Sequence, residues 1–367
     1  MTSTTNIADQ SPSWIRSISP YTPGKPITEL AREMGLPVEK IVKLASNENP
    51  LGMSPRARVA VERAIDGVER YPDTFDLVAA LSDKLKVGRE QIVLGNGSND
   101  VLDLVARVFL TTGRSAIVAQ HAFVVYFLAT VSTGAEPIVV RAKNFGHDLN
   151  AMCAALRADT RVIWIANPNN PTGTFLPRDE IRAFLKSVPK DVVVVIDEAY
   201  NDYLPEEVRF DSVSWVDEFP NLIVTRTFSK VYGLAGLRIG YGVATPAVAD
   251  LMNRVRQPFN VNNLAAAAAI AALDDQEFID RSVALNRRGM VQITAGLMAL
   301  NLEVIPSFGN FITFKVSDAV GVNARLLKQG VIVRPLGGYE MPDHLRVTIG
   351  LESENECFLQ ALREALG

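Results

Sequence analysis

The sequence predicts an α/β fold with three parts: a large domain with a mainly parallel sheet flanked by helices, a smaller α+β domain, and an N-terminal arm. Three observations carry this. Between about residues 90 and 245, short apolar runs rich in Val and Ile alternate with stretches of helical spacing. Continuous apolar runs of that kind are strands buried on both faces, as in parallel sheets. After residue 300 the pattern changes to strand-like runs followed by one closing helix. Residues 1–45 hold five prolines and little periodicity, and read as an extended arm. The expected division is 1–45 for the arm with part of the small domain, 46–260 for the large domain and 261–367 for the small C-terminal domain.

Each element follows in order. "QIVLGNG" (91–97) is strand-like and "NDVLDLVARVFL" (99–110) has helical spacing. "SAIVAQ" (115–120), "EPIVVRA" (136–142), "RVIWIANP" (161–168), "DVVVVIDEA" (191–199), "NLIVTRT" (221–227) and "LRIGYGVA" (237–244) are further strand candidates. Helical stretches cover roughly 247–300, among them "NLAAAAAIAAL" (263–273), which reads as a buried helix. "LEVIPSFGNFITFKV" (302–316), "GVIVRPL" (330–336) and "HLRVTIG" (344–350) then supply the strands of the smaller unit.

Composition narrows the function classes. The chain has 367 residues, 48% hydrophobic and 21% charged, with a formal net charge of -4. That balance gives no general affinity for nucleic acid or an anionic membrane, although a local site for a small anion stays open. Two cysteines, Cys153 and Cys357, are too few for a disulfide framework or a metal cluster, so no metal is expected. No run approaches the roughly 20 apolar residues of a membrane span, and the N-terminus shows no apolar secretion segment. The cytoplasm is the expected compartment.

In open α/β sheets ligands sit beyond the carboxyl ends of the strands, and four such ends carry suggestive residues. The first is "GNGSND", glycines running into a helix N-terminus, where free N–H groups and the helix dipole can hold a phosphate. Alone, such a turn is more often structural than a phosphate site, and Asp100 would repel a dianion unless it points away. The second is "NPNNPTG", where Pro171 fixes the backbone beside the neutral amide of Asn170. The third is Asp197, followed by Glu198, Ala199 and Tyr200. A carboxylate directly after five apolar residues is expensive to bury unless it meets a cation or a strong donor, so a ligand role is preferred to a helix cap. The fourth is Lys230 in "FSKVYGLAGLRIGYG" (228–242), a lone amine among small and apolar residues, with Arg238 eight positions on.

A cofactor that needs all of these together is pyridoxal 5'-phosphate. It requires a lysine amine, an anionic partner for its pyridine nitrogen, donors for its phenolic oxygen and a cradle for its phosphate. Burial and the cationic Arg238 would both lower the Lys230 pKa and help it act as a base.

With these residues in place the sequence resembles the fold-type I pyridoxal-phosphate aminotransferases, from "LASNENPLG" (44–52) to "RVTIG" (346–350), with "NPNNPTG", "DEAY" and "TFSKVYGLAGLRIGYG" in order. The resemblance implies that Lys230 bonds the cofactor and shuttles a proton, and that Asp197 pairs with the pyridine nitrogen. It places Asn170 and Tyr200 on the phenolic oxygen. Thr227, Arg238 and the backbone of Gly97, Ser98 and Asn99 would take the phosphate. The stacking aromatic falls in "QHAFVVY" (120–126) as Phe123, although Gln120–His121 stands where the motif usually has a proline; His121 reads as a local structural residue rather than a base.

Within that family "SPYTPGKPI" (19–27), "ERYPD" (69–73) and "VRPLGGYEMPDHLRVTIG" (333–350) are similar to the members acting on histidinol phosphate. The likeness implies substrate contacts from Tyr21, Asn47, Arg334 and Arg346. It also implies a homodimer with shared sites, in which Tyr71 reaches the partner subunit's cofactor. The expected reaction is ping-pong exchange between histidinol phosphate and 2-oxoglutarate. Transamination of phenylalanine or another aromatic amino acid, decarboxylation of an O-phospho amino acid, and a non-catalytic cofactor-binding protein are the alternatives.

Overall fold

The computed structural model describes residues 6–21 and 23–367, so residues 1–5 and Thr22 of the expected arm lie outside the described residues. The seven strand candidates between 91 and 244 all form, and they join one sheet. They are β1 (Ile92–Gly95), β2 (Ser115–Ala119), β3 (Glu136–Val140), β4 (Thr160–Ala166), β5 (Val193–Asp197), β6 (Leu222–Thr227) and β7 (Gly240–Val243). Their order is β1-β7-β6-β5-β4-β2-β3. Only β7 runs against its neighbours, β1 and β6; the remaining pairs are parallel. Alternate residues of β5 explain why its apolar run has no polar gaps: Val194 and Ile196 enter one core cluster, Val193 and Val195 the other. Helices cover both faces, as such a strand requires.

The smaller unit is a four-stranded antiparallel sheet of β8 (Val304–Ile305), β9 (Phe311–Lys315), β10 (Arg334–Pro335) and β11 (His344–Thr348), in the order β10-β11-β9-β8. Its core joins Ile312, Phe314 and Val347 to helix residues such as Ile293, Leu326 and Phe358.

Two expectations shift. The arm is not extended throughout: Ile27–Met34 is a helix, and Val42–Lys43 pairs in parallel with Val331–Ile332. Pro26 is the helix N-cap and Pro37 caps the next short turn, so these prolines start helices by presetting the backbone. Leu30, Ala31, Ile41 and Ala45 then pack on Ile332. The expected break between 260 and 261 also moves. Helix Asn263–Leu273 buries Ala265, Ala268 and Ala269 in the large-sheet cluster. The changeover runs along helix Gln276–Ala299, whose Ile279 belongs to that cluster and whose Ile293 and Leu297 belong to the smaller one. No helix among the described residues is long and apolar enough to cross a membrane.

Candidate active site

The ends of β1, β4, β5 and β6 open into one cavity of about 380 Å³, closed from the opposite side by β10 and β11. Of the site residues expected from sequence, thirteen line it: Tyr21, Asn47, Ser98, Asn99, Phe123, Asn170, Asp197, Tyr200, Thr227, Lys230, Arg238, Arg334 and Arg346. Gly97 lies directly behind the lining, and Tyr71 is elsewhere.

Beyond β1, Gly97 takes a φ of +83°, a conformation that favours glycine, and Ser98 begins the helix Ser98–Phe109. A Cβ on Gly97 would stand 2.4 Å from Nη2 of Arg238, and one on Gly240 would stand 2.3 Å from the Ser98 nitrogen. The two glycines therefore let a guanidinium and a helix N-terminus close on the same spot. Arg238 donates to the Ala235 carbonyl at 3.0 Å. Asp100 points away, its Oδ2 accepting from the Asn96 N–H at 2.9 Å and from Asn260 at 2.7 Å. The result is a cationic cradle with free N–H groups, suited to a phosphate.

Beyond β4, the Asn167–Pro168 and Asn170–Pro171 bonds are cis. The Asn170 Oδ1 accepts from Arg346 Nη1, which leaves the amide N–H donors of Asn170 for another partner. At the end of β5, Asp197 is buried and is no helix cap. Its Oδ2 accepts from the Tyr126 hydroxyl at 2.8 Å and its Oδ1 from the Thr225 hydroxyl at 3.1 Å. Burial pushes its carboxyl up, and these two donors pull it back. The Tyr200 hydroxyl accepts from Asn47 Nδ2 at 2.9 Å, and burial pushes the phenol up to about 12, so it keeps its proton as a donor.

Beyond β6, Thr227 lines the cavity, and Lys230 sends Nζ to the Ser46 carbonyl at 3.2 Å, 5.6 Å from the centre of the Tyr200 ring. Burial first, and the charge of Arg346 second, bring the amine down to about 8. Arg238 acts in the expected direction but more weakly than Arg346. The stronger cation comes from the smaller sheet, a contact made only on folding. Arg346 is buried, donates to the Ala45 carbonyl at 2.7 Å, and leaves Nε without a partner among the described residues. Arg334 stands directly opposite it across the β10–β11 pair, over the Tyr21 ring at 5.6 Å, and bonds the Tyr339 phenol. Like charges directly opposite across a strand pair are destabilising, and the Arg334 charge adds to the burial that lowers the Arg346 guanidinium.

Phe123 lines the cavity and meets the Tyr126 ring edge-on at 5.8 Å. His121 is tied as a structural residue: its Nδ1 lies 2.6 Å from the Tyr339 carbonyl, while Gln120 donates to Glu340 at 2.6 Å. Tyr71 is 80% exposed and stacks on Phe259 at 4.5 Å, away from this chain's cavity. Sequence reasoning missed Tyr126 and Tyr339. Tyr126 lies three residues after Phe123, one helical turn on, so the same helix face carries both; that spacing was the available signal. Tyr339 had none, because its role depends on the fold.

The donor set matches what pyridoxal phosphate demands: a cationic phosphate cradle, a buried acid, an amide and a phenol as donors, and an amine brought down to about 8. The Arg346 Nε adds a buried donor lacking an acceptor among the described residues.

The model of the family Aminotransferase class I and II matches residues 39–362. Histidinol-phosphate aminotransferase 1 of Dechloromonas aromatica is 69% identical over 361 residues, covering 98% of this chain and 100% of that protein. Histidinol-phosphate aminotransferase 2 of Nitrosospira multiformis is 60% identical over 364 residues, covering 98% and 93%. Among solved structures, histidinol-phosphate aminotransferase from Sinorhizobium meliloti in complex with pyridoxal-5'-phosphate superposes with a TM-score of 0.89 at 27% identity over 96% of both chains. Aspartate aminotransferase from Thermus thermophilus with maleate, 22% identical, shares the fold with a TM-score of 0.83 over 97% of both chains.

Proposed function

The chain belongs to the class I and II aminotransferases, and from that premise we propose that it moves the amino group of histidinol phosphate to 2-oxoglutarate, giving imidazole acetol phosphate and glutamate. The observation that carries the reading is the single cavity in which Lys230, Asp197 and Arg238 face the Arg334–Arg346 pair. The division of roles within it is our proposal. The Gly97–Asn99 backbone, Thr227 and Arg238 would hold the phosphate of pyridoxal phosphate; Asn170 and Tyr200 would donate to its phenolic oxygen, and Phe123 would cover its ring. Bound there, the cofactor supplies an aldehyde that accepts the amino group and a ring that draws electrons from the adjoining carbon.

The chain's own residues do the rest. Asp197 would keep the cofactor's ring nitrogen protonated. Lys230 Nζ, neutral above about pH 8, takes the proton from the donor carbon that bears the nitrogen. Arg334 and Arg346, with Asn47 and Tyr21 beside them, hold the donor's phosphate and, in the second half-reaction, a carboxylate of 2-oxoglutarate. Guanidinium forks suit both anions, so two substrates can share the site in turn. We further propose a homodimer in the cytoplasm, with the exposed Tyr71 completing the partner's phosphate site. Phenylalanine as donor is not favoured, since the near-full-length relatives at 69% and 60% identity are histidinol-phosphate aminotransferases.

The test compares kcat/KM for histidinol phosphate and for phenylalanine, each with 2-oxoglutarate. A preference for histidinol phosphate of about tenfold or more is expected, and a preference of that size for phenylalanine overturns the reading.

A further inference from the structure

Asp197 reaches the cavity with its carboxylate already well occupied. It accepts from the Tyr126 hydroxyl at 2.8 Å, from the Thr225 hydroxyl at 3.1 Å and from the Ala199 backbone. Two carboxylate oxygens offer about four acceptor directions, so about one is left for whatever occupies the cavity. The Tyr126 contact is the most firmly built. Its ring is 1% exposed and stacks on Trp164 at 5.6 Å with 8° between the planes. Trp164 Nε1 donates to the Thr130 hydroxyl at 3.1 Å, and that hydroxyl donates to the Tyr126 carbonyl at 2.8 Å. The Tyr126 phenol therefore has one place to point.

We propose that Tyr126 is a positioning residue which, by donating its hydroxyl to Asp197 Oδ2, sets how fully the cofactor's ring nitrogen stays protonated. The inference rests on the reading that the cavity holds pyridoxal phosphate. A neutral donor stabilises a carboxylate in its charged form without giving up its own proton. Burial and the neighbouring Asp197 hold the Tyr126 phenol far above its ordinary range, so it stays a donor at every working pH. With that donor removed, the carboxylate binds a proton more tightly. The proton shared with the ring nitrogen then moves toward Asp197, and the ring draws electrons less strongly. Only a proton changes place.

Tyr126→Phe keeps the ring and its stack and removes the O–H alone. The holoenzyme is loaded with cofactor labelled with nitrogen-15 at the ring, and the nitrogen resonance is read directly. Wild type should show the shift of a protonated pyridine, and Tyr126→Phe a shift moved toward the unprotonated form. The turnover of the histidinol phosphate half-reaction should fall about ten- to a hundredfold, as for one hydrogen bond to a charged group, with its KM nearly unchanged. A folded Tyr126→Phe with the wild-type nitrogen shift overturns the proposal. A second variant, 3-fluorotyrosine at position 126, keeps the shape and strengthens the donor, and should move the resonance the opposite way; an unmoved resonance there overturns it too. A wild-type chain that takes up no cofactor instead overturns the functional reading, and this inference with it.

Discussion

Asp197 and Glu198 are neighbours in the chain, yet the regions on the two sides of them differ. Behind the sheet, Glu198 is 2% exposed and meets Arg226, with Nη2 to Oε2 at 2.8 Å, and the Ser212 hydroxyl. Burial pushes its carboxyl up and the Arg226 charge opposes it. On the cavity side Asp197 is just as buried, but the groups that bond it are neutral hydroxyls and a backbone N–H. A buried carboxylate with its cation inside the fold is a structural fastening. One held by neutral donors at a cavity wall, with the Lys230 amine as the cation acting on it across the cavity, is open to a counter-charge from outside. The contrast separates structure from chemistry more sharply than burial, which is the same for both.

The largest effect that could break this contrast is on the cavity side. Lys230→Ala should lower turnover by roughly 10³–10⁴-fold, the scale of a lost acid–base group, while the melting temperature stays level or rises because a desolvated amine is gone. Turnover that survives the substitution would place the chemistry elsewhere. Next in size is Glu198→Gln, which takes the nearer carboxylate from Arg226, leaves it Asp211 at 3.7 Å, and should cost about 1.5–3 kcal/mol in denaturant unfolding, with turnover per folded molecule little altered. Asp197→Asn should do the reverse: stability within about 1 kcal/mol of wild type and turnover down about a hundredfold. If the two variants changed the same quantity, the two sides would not be distinct.

The smallest effect is in pH. An apoenzyme amine brought down from 10.5 to about 8 must be neutral to attack the cofactor's aldehyde. The rate of reconstitution, followed by absorbance, should rise about tenfold per pH unit below 8 and level off above it. Between pH 8 and 10.5 the unfolded chain binds more protons at this residue than the folded one, so its contribution makes stability rise with pH across that window. A reconstitution rate still climbing steeply beyond pH 9.5 would mean an unperturbed lysine.

The large sheet was legible because its central strands carry continuous apolar runs, such as 162–166 and 193–196, and Asn170, Asp197, Lys230 and Arg238 were legible because strand ends and short motifs place them locally. What could not be read comes from distance along the chain. Arg346 lowers Lys230 more than Arg238 does, across 116 residues, and Tyr126 reaches Asp197 across 71. The alanine-rich helix Asn263–Leu273 is apolar on every side, so its sequence names no partner; packing assigns it to the large sheet. The arm misled because a proline at a helix start and one in extended chain look alike until the next residues are placed.

The segment that carries Tyr339 and Glu340 is tied through Gln120 and His121 to the turn that presents Phe123. With the roles proposed above for Arg334 and Phe123, substrate preference and ring stacking could therefore not be re-engineered as separate modules. A graft of residues 334–341 from a relative would carry its selectivity across only if positions 120 and 121 travelled with it.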